Sequence, residues 1–330
     1  MNTITPTGPG PTLWNVGRPL PPLDLARLPG QGRPDWVQCD EAFIERSLDR
    51  ARGREGGGWV VVDASRRIGA KPRRYDIAGQ EWVAWRHEGQ VRLAPNDCPH
   101  LGAPLCEGTV DQGRIVCPWH GLKLGERGFK DWQLQPTWDD GVLTWARLLH
   151  DEAPTERPVV PKRPERFLDG VVQMPARCLP EDVVANRLDP WHGAWFHPHS
   201  FGALTMIDMN EDLLTLRVAY KIVGRVAVEV DCTFHAPTRR SIVMTITGGD
   251  GVGSVVETHA TPIDGERSML CEATLAWSDR AGFPLMYRLR DWVRPFIERR
   301  ARRLWVEDVA YAERRRALLT RRGGPPATAP

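Results

Sequence analysis

Two short stretches of the 330-residue chain carry side chains suited to holding metal. Cys98-Pro-His100 is followed, with sixteen residues between, by Cys117-Pro-Trp-His120. Each offers one thiolate and one imidazole on a short loop ended by a glycine, Gly102 or Gly121. Two such loops facing each other can grip a [2Fe–2S] cluster, with both thiolates on one iron and both imidazoles on the other. Exchanging two thiolates for neutral imidazoles removes negative charge. It raises the potential to about −150 to +300 mV, against roughly −400 mV for a plant-type all-cysteine cluster. The same four ligands could make a structural zinc site. Typical zinc modules, however, pair Cys with Cys and His with His, whereas each loop here carries one of each.

A second constellation is Asp189-Pro-Trp-His192-Gly-Ala-Trp-Phe-His197-Pro-His199. Two imidazoles five residues apart stand about 140° apart on a regular helix. They converge if the turn widens or unwinds, and Pro198 supports an ending there. Two His ligands and one carboxylate form the facial triad of non-haem iron(II) oxygenases, with positions left open for O₂ and substrate. The carboxylate must come from elsewhere. Ile297, Ala301, Leu304, Asp308 and Tyr311 follow at helical steps, which places Asp308 on an apolar face. A buried carboxylate is costly unless paired or bound to metal, so Asp308 is the predicted ligand. Glu307, one step round, should face differently. Taken singly, the histidines also read as ordinary buried residues, and Asp308 as an ion-pair partner of a nearby arginine.

The elements that must position these residues are legible as texture. Residues 1–35, rich in Pro and Gly, are predicted to be a disordered arm. Residues 36–58 contain a helix with Phe43, Ile44, Leu48 and Ala51 on one face, ended by Gly56-Gly57-Gly58. Residues 59–150 read as an all-β domain of short runs (59–63, 81–86, 90–94, 114–116, 141–147) separated by turn signals. Residues 151–165, with four prolines, suit a linker or an extended crossing. Residues 166–322 read as α+β: a helical stretch at 180–197, antiparallel strands over 203–278, and one or two long helices from 285 to 321, with Pro295 as the expected kink. A short tail, 323–330, is expected to be disordered.

Composition sets limits. Hydrophobic residues are 41% and charged residues 26%, ordinary for a globular protein. The net charge of +2 argues against a general nucleic-acid binder. No apolar run approaches the roughly 18 residues that span a bilayer, and no secretory signal is expected. Seven dispersed cysteines fit reduced cytoplasmic thiols or metal ligands better than a disulfide framework.

From Trp59 to Arg147 the sequence resembles a Rieske [2Fe–2S] domain, with Cys98-Pro-His-Leu-Gly-Ala-Pro-Leu and Cys117-Pro-Trp-His-Gly as its cluster loops. Respiratory-complex Rieske proteins join these loops by a disulfide, from places held here by Ala103 and Trp119. The chain is therefore similar to the oxygenase type, and Cys106 is read as packing. The second domain resembles the helix-grip-type catalytic domain of Rieske non-haem iron oxygenases, including the aromatic-ring-hydroxylating dioxygenases. Their spacing of Asp, two residues, His, four residues, His matches Asp189, His192 and His197, and their distant Asp matches Asp308. His199 stands at a spacing the family does not use.

The resemblance implies a terminal oxygenase component. Cys98, His100, Cys117 and His120 would hold the cluster, and His192, His197 and Asp308 a mononuclear Fe(II). Asp189 would bridge His120 of a neighbouring subunit to His192 in a homotrimer, as an electron-transfer link; a helix N-cap is its local reading. With no nicotinamide- or flavin-binding fingerprint in the chain, electrons would come from a separate ferredoxin and/or NAD(P)H-dependent reductase. The cluster would pass them to the iron that activates O₂. Leu204, Met206, Leu214, Met244 and Trp277 suggest a hydrophobic substrate such as a terpenoid, carotenoid, steroid or aromatic. Rival readings are an electron carrier with a ligand-binding second domain, and a zinc-stapled interaction protein. The segment 285–322 holds 12 Arg and 5 acidic residues. It reads as a solvated helix face aided by a Glu298–Arg302 pair, as a dock for an acidic ferredoxin, or as a membrane-surface element.

Overall fold

The computed structural model describes residues 13–24 and 41–323. Part of the arm expected to be disordered is placed in it. Strand β1 (Trp14–Asn15) lies parallel to residues 226–227. The remaining residues of 1–35, and 324–330 of the tail, lie outside the described residues. Helix α1 (Glu41–Arg52) buries Phe43, Ile44, Leu48 and Ala51, the apolar positions of its sequence.

The β-domain comprises three three-stranded sheets. Its strands are β2 (Trp59–Ala64), β3 (Arg73–Ile77), β4 (Gln80–His87), β5 (Gln90–Pro95), β6 (Thr109–Asp111), β7 (Arg114–Val116), β8 (Lys123–Leu124), β9 (Thr137–Asp139) and β10 (Leu143–Arg147). Strand β4 reads as continuously apolar because both its faces are covered. Trp82 and Ala84 join one core with Val60 and Leu93, while Val83 and Trp85 join the other with Cys98 and Cys117.

Residues 151–165 form an extended crossing pinned by buried charge. Glu152 accepts the N–H groups of Gly56 and Gly58, at 2.9 and 2.8 Å, and pairs with Arg240 at 2.6 Å. Arg163 holds Asp140 and Glu257.

The second half is one large sheet with helices. Its elements are β11 (Leu168–Ala176), α2 (Pro180–Leu188), α3 (Trp191–Phe196), β12 (Phe201–Met209), β13 (Leu214–Val223), β14 (Val226–Thr238), β15 (Ser241–Gly249), β16 (Val255–Pro262), β17 (Ser268–Ala276), α4 (Phe283–Arg288) and α5 (Arg290–Arg321). The strand order is β11-β17-β16-β15-β14-β13-β12, antiparallel throughout, with β1 added to β14. The β1 site exists because β15 pairs with β14 only from Val230 onward. That leaves the first residues of β14 open on one side.

Three details differ from the expectations. The stretch 180–197 is two helices, because Asp189 precedes Pro190 and leaves helical geometry (φ −108°, ψ 80°). The C-terminal stretch divides at Leu289, and α5 runs on through Pro295. Strand β11 was not foreseen. It carries Pro175 and forms the sheet edge, where a missing N–H is tolerated. Helix α1 packs with α2, β13 and β14 in one core, so it belongs to the second half of the molecule. Trp59, Val61 and Trp145 meet Val171 and Leu275, joining the two halves.

Candidate metal centres

The two cluster loops have matching backbone geometry. In the first, the Cys98 N–H donates to the Ala103 carbonyl and Gly102 N–H to the Cys98 carbonyl, at 2.9 and 2.8 Å. In the second, Cys117 N–H donates to Leu122 and Gly121 N–H to Cys117, at 2.9 and 3.0 Å. Gly102 and Gly121 close these turns at φ 74° and 69°, which disfavours a side chain. Both cysteines are buried, and the His100 and His120 rings meet edge to face at 4.8 Å. Burial pushes the Cys98 thiol up. Burial acts likewise on Cys117, but N–H groups of His120 and Trp119 directed at its sulfur outweigh it and draw it down. Two sulfurs backed by N–H donors on one side, with two imidazoles at the exposed rim, fit a [2Fe–2S] cluster of mixed ligation. Leu101 and Trp119 project beside it, 65% and 57% exposed.

The second centre forms where α3 ends. Its last helical residue is Phe196, and His197 turns out of helical geometry (φ −117°, ψ 54°). This cancels the angular separation of a five-residue step, so His192 and His197 converge. Their Nε2 atoms lie 3.1 and 2.7 Å from Asp308 Oδ1, and one donor atom from each of the three residues lies within 4.8 Å of the others. Bonds of about 2.1 Å to a common cation place donor atoms roughly 3 to 4 Å apart. Asp308 is 1% exposed and its Oδ2 is buried without a hydrogen bond among the described residues, an uncompensated acceptor that a cation would satisfy. Burial opposes charge on both partners, yet proximity wins. The Asp189 and Asp308 carboxylates push His192 up to about 9, and the histidines hold Asp308 well below the usual carboxylate range. A divalent cation displaces the protons these contacts share.

Sequence reasoning missed the groups behind the imidazoles. His192 Nδ1 donates to the Asp189 carbonyl, and His197 Nδ1 donates to Glu307 Oε2 at 2.5 Å. Glu307 does face differently from Asp308, but towards the back of the same ring. Asn186 Nδ2 donates to Asp308 Oδ1 at 3.2 Å. Both Nδ1 protons are therefore held away from the centre, leaving each Nε2 free to bind metal. Asp189 is not a side-chain N-cap. Pro190 caps α3 without a side-chain bond, and Asp189 terminates α2. Its Oδ2 accepts from the Tyr311 hydroxyl at 3.0 Å, and its Oδ1 is buried without a partner among the described residues. His199 lies outside the three-residue group, its Nδ1 3.9 Å from Glu307.

A cavity of about 450 Å³ runs from His192, His197 and Asp308 between the sheet and α5. Leu204, Met244 and Trp277 line it as expected, together with Leu216, Val218 and Leu304. Met206 and Leu214 do not line it. They are buried in the core with Phe43 and Leu48.

Comparison with known proteins agrees with this architecture. The model of a Rieske [2Fe–2S] domain matches residues 58–136. The model of the Domain of unknown function (DUF5914) matches residues 149–323, more than half of the chain. Aminopyrrolnitrin oxygenase of Pseudomonas fluorescens is 31% identical over 96 residues, 28% of this chain and 26% of that protein. The vanillate O-demethylase oxygenase subunit of a Pseudomonas strain is 38% identical over 71 residues, 21% of this chain and 20% of that protein. These matches thus span about a quarter or less of the relatives' length. Among solved structures, dicamba monooxygenase bound to dicamba superposes with a TM-score of 0.62 at 17% identity, over 83% of this chain and 92% of that one. An oxygenase–ferredoxin complex of carbazole 1,9a-dioxygenase superposes with 0.52 at 14% identity, over 85% and 87%. The chain therefore belongs to the family of the Domain of unknown function (DUF5914), joined here to a Rieske [2Fe–2S] domain and built on the fold of the Rieske non-haem iron oxygenases.

Proposed function

We propose that the chain is the terminal oxygenase component of a Rieske non-haem iron system, oxidising a hydrophobic small molecule of the terpenoid, carotenoid, steroid or aromatic kind. The observation that carries this is the His192–His197–Asp308 group at the end of a largely apolar cavity of about 450 Å³. An electron carrier with a ligand-binding second domain would need a cavity but not the convergent donors at its end. When bound, the [2Fe–2S] cluster supplies one-electron transfer and the mononuclear iron supplies O₂ activation.

The chain's own groups do the rest. Cys98, Cys117, His100 and His120 hold the cluster. His192 and His197 present Nε2, with their Nδ1 protons held by the Asp189 carbonyl and by Glu307, and Asp308 adds the negative charge. The walls of the cavity exclude water and orient the substrate. Asp189, fixed by Tyr311 and carrying one oxygen without a partner among the described residues, bridges to His120 of a neighbouring subunit in a homotrimer. The exposed Leu101 and Trp119 at one centre and Trp195 and Phe196 at the other are apolar surfaces suited to that contact. Reducing equivalents come from a separate ferredoxin and/or NAD(P)H-dependent reductase.

Iron and acid-labile sulfide on anaerobically purified protein test the reading. About three irons and about two sulfides per chain are expected from one [2Fe–2S] cluster plus one iron. Two of each, unchanged by added ferrous iron, would leave an electron carrier. Zinc without sulfide would overturn both centres.

A further inference from the structure

We propose that α4, the first half of α5 and the tip of the β13–β14 hairpin form a surface that docks on an anionic lipid bilayer, with the mouth of the cavity turned to the lipid. A solvated helix face does not expose a contiguous group of large apolar side chains. Here Leu285, Leu289, Trp292 and Phe296 are 61%, 45%, 79% and 73% exposed. Along α5, Trp292, Phe296, Arg299, Arg303 and Val306 follow at steps of four, three, four and three. One stripe therefore begins aromatic and continues basic.

The arginines around this stripe are grouped without carboxylates. Many guanidinium groups hold carboxylates, as in Arg163–Glu257 and Arg217–Asp231, and on α5 itself Arg294–Asp169. Among the described residues, no carboxylate lies within ion-pair distance of Arg288, Arg290, Arg299, Arg302 or Arg303. Glu298, expected to pair with Arg302, is turned instead to Arg66 and to the Val171 N–H. Uncompensated positive charge beside exposed Trp, Phe and Leu matches a bilayer in both respects. Aromatic and aliphatic groups enter the acyl boundary, and arginines reach the anionic headgroups. An acidic protein partner would need an apolar patch matched to these side chains as well.

The cavity reaches this surface through two of its lining residues. Ile222, 52% exposed at the hairpin tip, and Arg300 of α5 both line it, and Arg300 Nη1 donates to the Ile222 carbonyl at 2.9 Å. Val223 beside it is 70% exposed. A hydrophobic molecule dissolved in a bilayer would thus pass into the cavity without crossing water. The role of the mouth rests on the oxygenase reading; the docking surface does not.

The test is co-sedimentation of the full-length holoprotein with phosphatidylglycerol-containing vesicles and with pure phosphatidylcholine vesicles. Binding to the anionic vesicles, weakened by salt and much weaker on the neutral ones, is expected. The double variant Trp292→Ser/Phe296→Ser should lose about tenfold or more in vesicle affinity, and so should Arg299→Glu/Arg303→Glu, with iron and sulfide content retained. Because the arginine pair is wholly at the surface, it serves if the aromatic variant fails to fold. Absence of binding to anionic vesicles, or binding indifferent to both double variants, overturns the proposal. So does a change in oligomeric mass caused by Trp292→Ser/Phe296→Ser without vesicles, which would make the surface an interface between copies. None of these outcomes depends on turnover, so failure here is distinct from failure of the oxygenase assignment.

Discussion

Glu307 accepts a hydrogen bond from His197 Nδ1 at 2.5 Å, while Asp308, next to it on α5, meets Nε2 of the same ring at 2.7 Å. Two consecutive carboxylates thus grip one imidazole from opposite edges. Glu307 is 34% exposed on its side chain and Asp308 1%. The outer carboxylate orients and polarises the ring, and the inner one faces the metal position. Glu307→Ala should weaken ferrous iron binding by about 10- to 100-fold while leaving the visible spectrum of the [2Fe–2S] cluster unchanged. Glu307→Gln, which can still accept from Nδ1–H, should lose less. Iron titration of the cluster-loaded protein decides; equal affinity in all three proteins would remove Glu307 from the centre.

Asp308→Ala should remove about one iron per chain, retain the sulfide, and abolish turnover, since it deletes the only carboxylate facing both Nε2 atoms among the described residues. Oxygen-dependent product formation by this variant would mean that another group supplies the charge.

Asp189→Asn should retain both metals but cripple electron delivery, measured as the rate of cluster reoxidation in the presence of substrate and O₂. Tyr311→Phe should produce a smaller fall in the same rate, because the hydroxyl only fixes one carboxylate oxygen. Near-normal reoxidation in Asp189→Asn would end the bridging assignment.

Acid stability should report Glu152. Burial opposes its charge, but Arg240, the Gly58 N–H and Arg239 outweigh that and lower it to about 2 from an ordinary 4.5. A lowered folded-state value means the stabilisation is complete above about pH 4.5 and is lost as pH falls towards 2. The shift corresponds to about 3 kcal/mol. Glu152→Gln should therefore unfold at lower denaturant concentration at neutral pH, and its stability should vary less than that of the parent between pH 5 and 3. Parallel curves for the two proteins would show that Glu152 is not the group titrating.

The sequence made the cluster loops legible because their ligands sit within two local segments whose turns are fixed by nearby glycines. The His192–His197 pair was legible in type and spacing, and Pro190 and Pro198 already marked the breaks that let the rings converge. Asp308 could be reached through its place on an apolar helical face. Glu307 could not, since its function depends on which edge of His197 it meets, a matter of where α3 ends against α5. The same limit hid β1: two residues of strand carry no periodicity, and their pairing depends on β15 stopping at Val230. Pro295 was the obvious candidate for a break in the C-terminal helix. Early in α5 it forfeits a single backbone bond, and the helix runs on through it.

Helix α1 gives the chain an order of assembly. It is made before the β-domain, yet the side chains that cover Phe43 and Leu48 come from α2 and from strands more than a hundred residues later. The β-domain between them has its own cores and can close as soon as it has left the ribosome. The amphipathic helix must then wait, tethered to a finished domain, until residues up to Met244 have emerged. During that interval its apolar face is open to chaperones, and its docking on the late-made sheet would be among the slow steps of folding, because it closes a loop of well over a hundred residues.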